Sequence, residues 1–166
     1  MIKAIVAVDK KWGIGKKNDL LFHLPQDMKF FRETTLGHTV CMGYNTLLSF
    51  PNSKPLPKRK NIVLCPEGIE REDAVMVHSL EEMLNAIKGE EDDVFVIGGA
   101  MFYKTMLPYC DEVLVTKVDA DGEAEVFYEN LDERAEFECV SVSEPCETNG
   151  FTIRFTTYKN KSPLKI

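Results

Sequence analysis

An α/β fold built on a largely parallel sheet is what this sequence predicts, and three observations predict it. Short apolar runs recur along the chain: IKAIVAV (2–8), TVCMG (39–43), NIVLC (61–65), AVMVH (74–78), VFVIGG (94–99) and EVLVTKV (112–118). Such runs mark strands covered on both faces. Helical patterns lie between them, and alternation of strand and helix argues for crossover connections. The last stretch changes character. FECVSVSE (137–144) and GFTIRFTTYK (150–159) alternate apolar and polar residues on either side of a PCETNG turn region, the pattern of an antiparallel hairpin closing one side of the sheet.

In chain order, the strand at 2–8 runs into VDKKWGIGKKNDLLFHLP (8–25), about 17 residues without periodicity. Loops of that length in compact domains are usually functional. Gly13-Ile14-Gly15 lacks the third glycine of a dinucleotide fingerprint, so a hinged lid is the better reading. The helix at 25–35 opens on Pro25, which lacks the N–H a first turn leaves unpaired. The strand at 39–43 ends in Gly43, with Asn45 and Thr46 as candidate caps of a short helical turn at 45–50. KPLPKRK (54–60) reads as a solvated loop. Ser79 and Glu82 form a capping box at the start of 79–88. The strand at 94–99 ends in Gly98-Gly99 and passes at once into a helix over 100–109. No linker divides the chain, so one domain over 1–166 is expected, with its core at about 1–159.

Composition narrows the function. The chain has 166 residues, 44% of them hydrophobic, enough for a sizeable core. A net charge of −7 argues against a nucleic-acid partner. The five cysteines (Cys41, Cys65, Cys110, Cys139, Cys146) cannot all pair within the chain and show no zinc spacing. His23, His38 and His78 have no mutual metal spacing either, so no metal is expected. AIVAV near the start is too short for a signal segment or membrane span. The expectation is a cytoplasmic, reduced monomer that binds neither membrane nor nucleic acid.

Two features point to chemistry. The strand–glycine–helix corners at Gly43 and at Gly98-Gly99 let a ligand approach the backbone and offer helix N–H groups to an anion. Side by side in one sheet, they could bracket a pyrophosphate at the carboxyl ends of the strands. The second feature is Asp27, a carboxylate among Met28, Phe30 and Phe31. An acid there either complements the helix dipole or is held in an apolar setting for chemistry. Phe31, four residues on, shares its helix face; together they offer a carboxylate for the edge of a planar nitrogen heterocycle and an apolar wall for its face.

AVDKKWGIGKKNDLLFHLPQDMKFF, TVCMGYNT, KPLPKRKNIVL, VFVIGGAMFYKTMLP and VLVTKVDAD, in that order, resemble dihydrofolate reductases over most of the chain. The resemblance implies an eight-stranded, mostly parallel sheet with an antiparallel C-terminal strand and flanking helices. It also implies reduction of 7,8-dihydrofolate to tetrahydrofolate by NADPH, in one-carbon and thymidylate metabolism, at a site that antifolate inhibitors would also occupy. By position, Asp27 would bind the pterin and support its protonation, with Thr116 in the same network. Leu20 would sit at the centre of the lid, with Phe22 beside the substrate. The backbones of Ile5 and Ile97 would line the pterin end. Met28, Phe31, Phe50 and Leu56 would wall the aminobenzoyl group, and Arg59 would take the glutamate α-carboxylate. Ala7, Ile14 and Gly15 would meet the nicotinamide. Gly43, Tyr44, Asn45, Thr46, Leu64, Cys65, His78, Gly98, Gly99, Ala100, Met101, Phe102 and Tyr103 would hold the rest of the cofactor.

The chain departs from the family pattern in places. Leu21-Phe22 replaces a Pro-Trp, Tyr44 and Met101 replace arginines, and Glu125 replaces an aspartate that steadies the lid. Two other readings stand beside this one. One is a same-fold pyrimidine reductase of riboflavin type, which would leave Arg59 without a task. The other is a catalytically weak folate- or nucleotide-binding protein.

Overall fold

The computed structural model describes every residue except Asn18. Its described strands are β1 (Ile2–Val8), β2 (Gly13–Gly15), β3 (Thr39–Gly43), β4 (Lys60–Leu64), β5 (Val75–Val77), β6 (Val94–Val96), β7 (Glu112–Val118), β8 (Val126–Phe127), β9 (Phe137–Val142), β10 (Cys146–Thr148) and β11 (Phe151–Asn160). The helices are α1 (Pro25–Thr35), α2 (Tyr44–Ser49), α3 (Leu80–Lys88) and α4 (Ala100–Met106). The large sheet runs β10-β11-β7-β1-β6-β3-β4-β5, and β9 also pairs with β11. Strands β9 and β10 take successive stretches of one edge of β11, residues 156–160 and 151–153. They act as a single interrupted strand, so the sheet has eight positions. From β7 to β5 all pairs are parallel, and β11 is antiparallel to β7. The expected eight-stranded architecture is present.

Alternation along the strands distributes the core between the two faces. Ala4, Val6 and Val8 pack with Met83 and Ile87 of α3 and Phe102 and Met106 of α4. Ile5, Val40, Met42 and Phe95 pack on the other face with Leu47 of α2 and with Phe30 and Phe31 of α1. The N-cap half of the predicted capping box of α3 forms, with the Glu82 N–H donating to Ser79 Oγ at 3.1 Å.

Three local expectations are corrected. Asn45 and Thr46 do not cap α2: the helix begins at Tyr44, directly after Gly43, with no side-chain cap. The PCETNG segment is not all turn. Cys146–Thr148 is strand β10, and the reversal is confined to Asn149-Gly150, whose φ values of 48° and 81° are the left-handed pair a two-residue hairpin requires. The 8–25 segment is not a bare loop either, because β2 within it pairs with β8. Trp12, 6% exposed and at φ 64°, anchors its stem edge-on against Tyr158.

Helix α1 receives its cap from across the chain. Leu24 at its N-cap has no side-chain acceptor, and the Gln26 N–H donates instead to Thr148 Oγ1 of β10 at 3.2 Å. The C-terminal hairpin thereby fixes where the first turn of α1 lies, and Asp27 is in that turn.

Candidate active site

Asp27 faces the sheet. Thr116, 2% exposed, stands on β7 opposite Ala7 of β1 and Phe155 of β11. Its Oγ1 donates to Asp27 Oδ1 at 2.7 Å. Burial pushes the Asp27 carboxyl above its ordinary value of 3.8, and the Thr116 hydrogen bond only partly opposes the rise. A first-turn position favours the charged form; here desolvation outweighs it. The carboxyl opens into a cavity of about 60 Å³ lined by Ala7, Ile14, Leu20, Leu21, Phe22, Leu24, Asp27 and Met28. Leu20 is 75% exposed at its mouth.

The predicted aromatic and aliphatic wall assembles beside this acid. Ile5, Phe31, Phe50, Leu56 and Ile97 belong to one cluster on the α1 face of the sheet, while Met28 stays half-exposed at the cavity. The Tyr103 hydroxyl donates to the Ile5 carbonyl at 2.7 Å. Burial, and then the charge of Asp27, push the Tyr103 phenol well above its ordinary pKa. Arg59 lies at the outer end of the wall. Its Nε donates to the Pro57 carbonyl at 3.0 Å and its Nη1 to Thr35 Oγ1 at 3.4 Å. Among the described residues no carboxylate pairs with it, and burial and neighbouring Arg32 lower its pKa.

The two glycine corners lie on adjacent parallel strands, β3 and β6. The Gly43 N–H donates to the Gly98 carbonyl at 2.8 Å. Gly98 has φ 136°, its peptide bond to Gly99 is cis, and a Cβ there would stand 3.3 Å from Thr46 Oγ1. Helices α2 and α4 both start at this corner without side-chain caps. Uncapped N–H groups and a backbone bare of side chains fit a phosphate-bearing group.

A model of the dihydrofolate reductase family matches residues 1–160. The dihydrofolate reductase of Bacillus subtilis (strain 168) is 37% identical over 169 aligned residues, spanning 99% of this chain and 98% of that one. The Haemophilus influenzae dihydrofolate reductase is 34% identical, spanning 95% of this chain and 97% of its own. The solved dihydrofolate reductase from Enterococcus faecalis, complexed with NADP(H) and RAB-propyl, superposes with a TM-score of 0.86 at 31% identity, covering 96% of both chains.

The chain belongs to the dihydrofolate reductase family. Its fold and relatives make it an NADPH-dependent reductase of 7,8-dihydrofolate.

Two cations of the 64–78 segment already have partners among the described residues. Arg71 is committed to Asp73, at 2.9 Å from Nε and 2.7 Å from Nη2, and to the Ser53 carbonyl. His78 bridges Glu70 (2.7 Å) and the Pro66 carbonyl (3.1 Å), and the Glu70 hydrogen bond raises its pKa. Its Nδ1 is also 3.5 Å from Cys65 Sγ. Leu64 ends β4 next to them, and Met101 and Asn45 are exposed. The Phe102 side chain lies away from the corner. The residue is 4% exposed and packed in the core, so only its backbone reaches the corner.

Glu125 is bonded to the 8–25 segment. Its Oε1 accepts from the Lys17 N–H at 2.8 Å and its own N–H donates to the Gly15 carbonyl at 2.9 Å. Sequence reasoning missed Leu21 and Leu24 as cavity residues. The only signal was their place beside Leu20 and Pro25.

Proposed function

We propose that Asp27 is the residue through which this reductase manages the proton of its reaction, with Thr116 orienting it. The observation that carries the reading is a carboxyl with a raised pKa, hydrogen-bonded to a buried threonine, at the floor of a cavity with apolar walls. The bound cofactor supplies hydride from its nicotinamide ring. A pterin accepts hydride more readily once its N5 is protonated, and an acid with a raised pKa holds its proton to higher pH than an exposed carboxyl does. Asp27 binds the pyrimidine edge of the pterin and holds that proton in relay. The carbonyls of Ile5 and Ile97 meet the pterin's exocyclic donors. Met28, Phe31, Phe50 and Leu56 exclude water from the aminobenzoyl group, and Arg59 forks onto the glutamate α-carboxylate. Ala7, Ile14 and Gly15 border the nicotinamide, Leu20 and Phe22 close over the rings, and the glycine corner takes the pyrophosphate. Antifolate inhibitors would enter the same cleft.

One domain over 1–166 is supported by a single large sheet that runs from Ile2 to Asn160. We place the enzyme in the cytoplasm as a monomer. All five cysteines are free thiols, and no described helix is long and apolar enough to cross a membrane.

The test is Asp27→Asn. The amide keeps the shape and still accepts from Thr116, but relays no proton. Turnover at neutral pH should fall by at least about a hundredfold, within the range general acid–base catalysis contributes. Part of it should return at low pH, where substrate protonates unaided. A folded variant with near-normal turnover at pH 7 would refute the role.

A further inference from the structure

Asp9, at the exit of β1, is a carboxylate only 3% exposed. Among the described residues no cation pairs with it. Burying such a group requires hydrogen bonds, and Asp9 obtains all three from backbone. Oδ1 accepts from the N–H groups of Lys11 at 2.8 Å and Gly13 at 2.7 Å, and Oδ2 from that of Gly122 at 3.0 Å. The first two bonds close the turn that begins the lid. The third reaches the distant loop after β7. No room is left around this grip: a Cβ on Gly13 would lie 2.9 Å from both Asp9 oxygens and 2.3 Å from the Ala124 Cβ.

From Gly122 the contact continues into the active site. A Cβ at Gly122 would stand 3.0 Å from Leu21 Cδ1 and from Phe22 Cζ, and both side chains line the Asp27 cavity. On the other side, Gly13 leads directly to Ile14, which also lines it.

We propose that Asp9 is a positioning residue that clamps the lid stem and the loop at Gly122 into one unit, and so sets where Ile14, Leu21 and Phe22 stand over the reacting rings. The inference rests on the assignment of the Asp27 cavity as the active site. Asp9 touches neither substrate nor cofactor. Its effect is on geometry, and hydride transfer is sensitive to misplacement of this kind.

Asp9→Asn tests it selectively. With its oxygen kept toward Lys11 and Gly13, the amide turns a donor toward the Gly122 N–H and breaks only the link between loops; the flipped amide would lose two bonds rather than one. Asp9→Ser is the second variant, because a hydroxyl can hold the turn but is too short to reach Gly122. In either variant the single-turnover hydride-transfer rate should fall about tenfold, with dihydrofolate affinity within about twofold of the parent. Amide exchange at Gly122 and Lys17 should quicken. Ile87→Val, a one-methylene core change on α3, controls for lost stability and should leave the hydride rate alone. A parental hydride rate in both Asp9 variants, or a loss that Ile87→Val reproduces, overturns the proposal. If Asp27→Asn retains turnover, the active-site reading itself has failed; if it is inactive while the Asp9 variants are normal, only the clamp has.

Discussion

Replacing Arg59 by alanine should raise the KM for dihydrofolate and leave kcat nearly unchanged. In the folded chain the guanidinium spends Nε on Pro57 and a long contact from Nη1 on Thr35, which leaves three of its five N–H groups for a ligand. Two of them, one on each terminal nitrogen, form the fork that a carboxylate fits. Hydrogen bonds to a charged group are worth about 1.5–3 kcal/mol. Arg59 is only half-buried, and solvent screens the second bond, so that range is taken for the pair rather than for each bond. At about 1.4 kcal/mol per tenfold, KM rises by about 12- to 140-fold. The neighbouring Arg32 works in the same direction, since two adjacent cations gain from an anion between them. Steady-state kinetics would be run with dihydrofolate and with a dihydropteroate analogue lacking the glutamate. The analogue should lose less than about threefold on the mutation, because uniform binding energy is lost only where the contact existed. Arg59→Lys should recover only part of the loss, because an ammonium cannot fork. Equal losses with both substrates would mean that Arg59 supports the 57–61 loop rather than the ligand.

Asp27→Asn should also alter stability. Burial raises the folded pKa above the unfolded value near 3.8, so the folded wild type loses stability as pH rises from that value through its own pKa. The variant should therefore be the more stable protein at pH 7 and lose its advantage below about pH 3.8; urea unfolding that finds it less stable at pH 7 would contradict the assigned shift. Phe22→Trp should increase hydride transfer a few-fold if an indole N–H orders water at the substrate. Its ring centroid is 4.8 Å from that of Phe151, and a folded variant no faster than the parent would show that water is ordered another way. NADPH should remain preferred over NADH, but modestly and less so as pH rises, because His78 loses its charge through a pKa already raised by Glu70. Tyr44→Arg should widen the preference; a large, pH-independent ratio of kcat/KM values that this change leaves alone would place the 2′-phosphate on another residue.

The parallel strands were legible because each is a short apolar run with its own neighbours on both faces. What escaped was structure whose partners are remote and whose sequence is poor in side chains. Strand β2 is Gly-Ile-Gly and β8 only Val126-Phe127; neither has a period to read, and each exists because the other is there. The Asn149-Gly150 turn carries a strong hairpin signal, yet a breaker-rich PCETNG blurs it, because Pro145 and Gly150 bound a strand of only three residues. The α1 start shows the converse. Pro25 marks it locally, but the acceptor that holds it is Thr148, which no local pattern assigns to the helix.

The site divides along the same line. Asp27 stood out because an acid among aromatics is a local oddity, and Phe31 one helical turn on gave it a use. Thr116 is an ordinary strand threonine in the sequence and becomes informative only when β7 lies beside β1. Arg71 and His78 were visible as residue types, but their availability depends on neighbours: Asp73 takes up Arg71 from two positions away, Glu70 takes up His78 from eight. Asp9 is the hardest case. By composition it resembles Asp19 or Asp119, acids near lysines in the same two loops. Its difference is burial, in a turn where Trp12, at φ 64°, donates its N–H to the Asp9 carbonyl at 3.1 Å. A carboxylate that finds only backbone donors is one whose position the fold dictates.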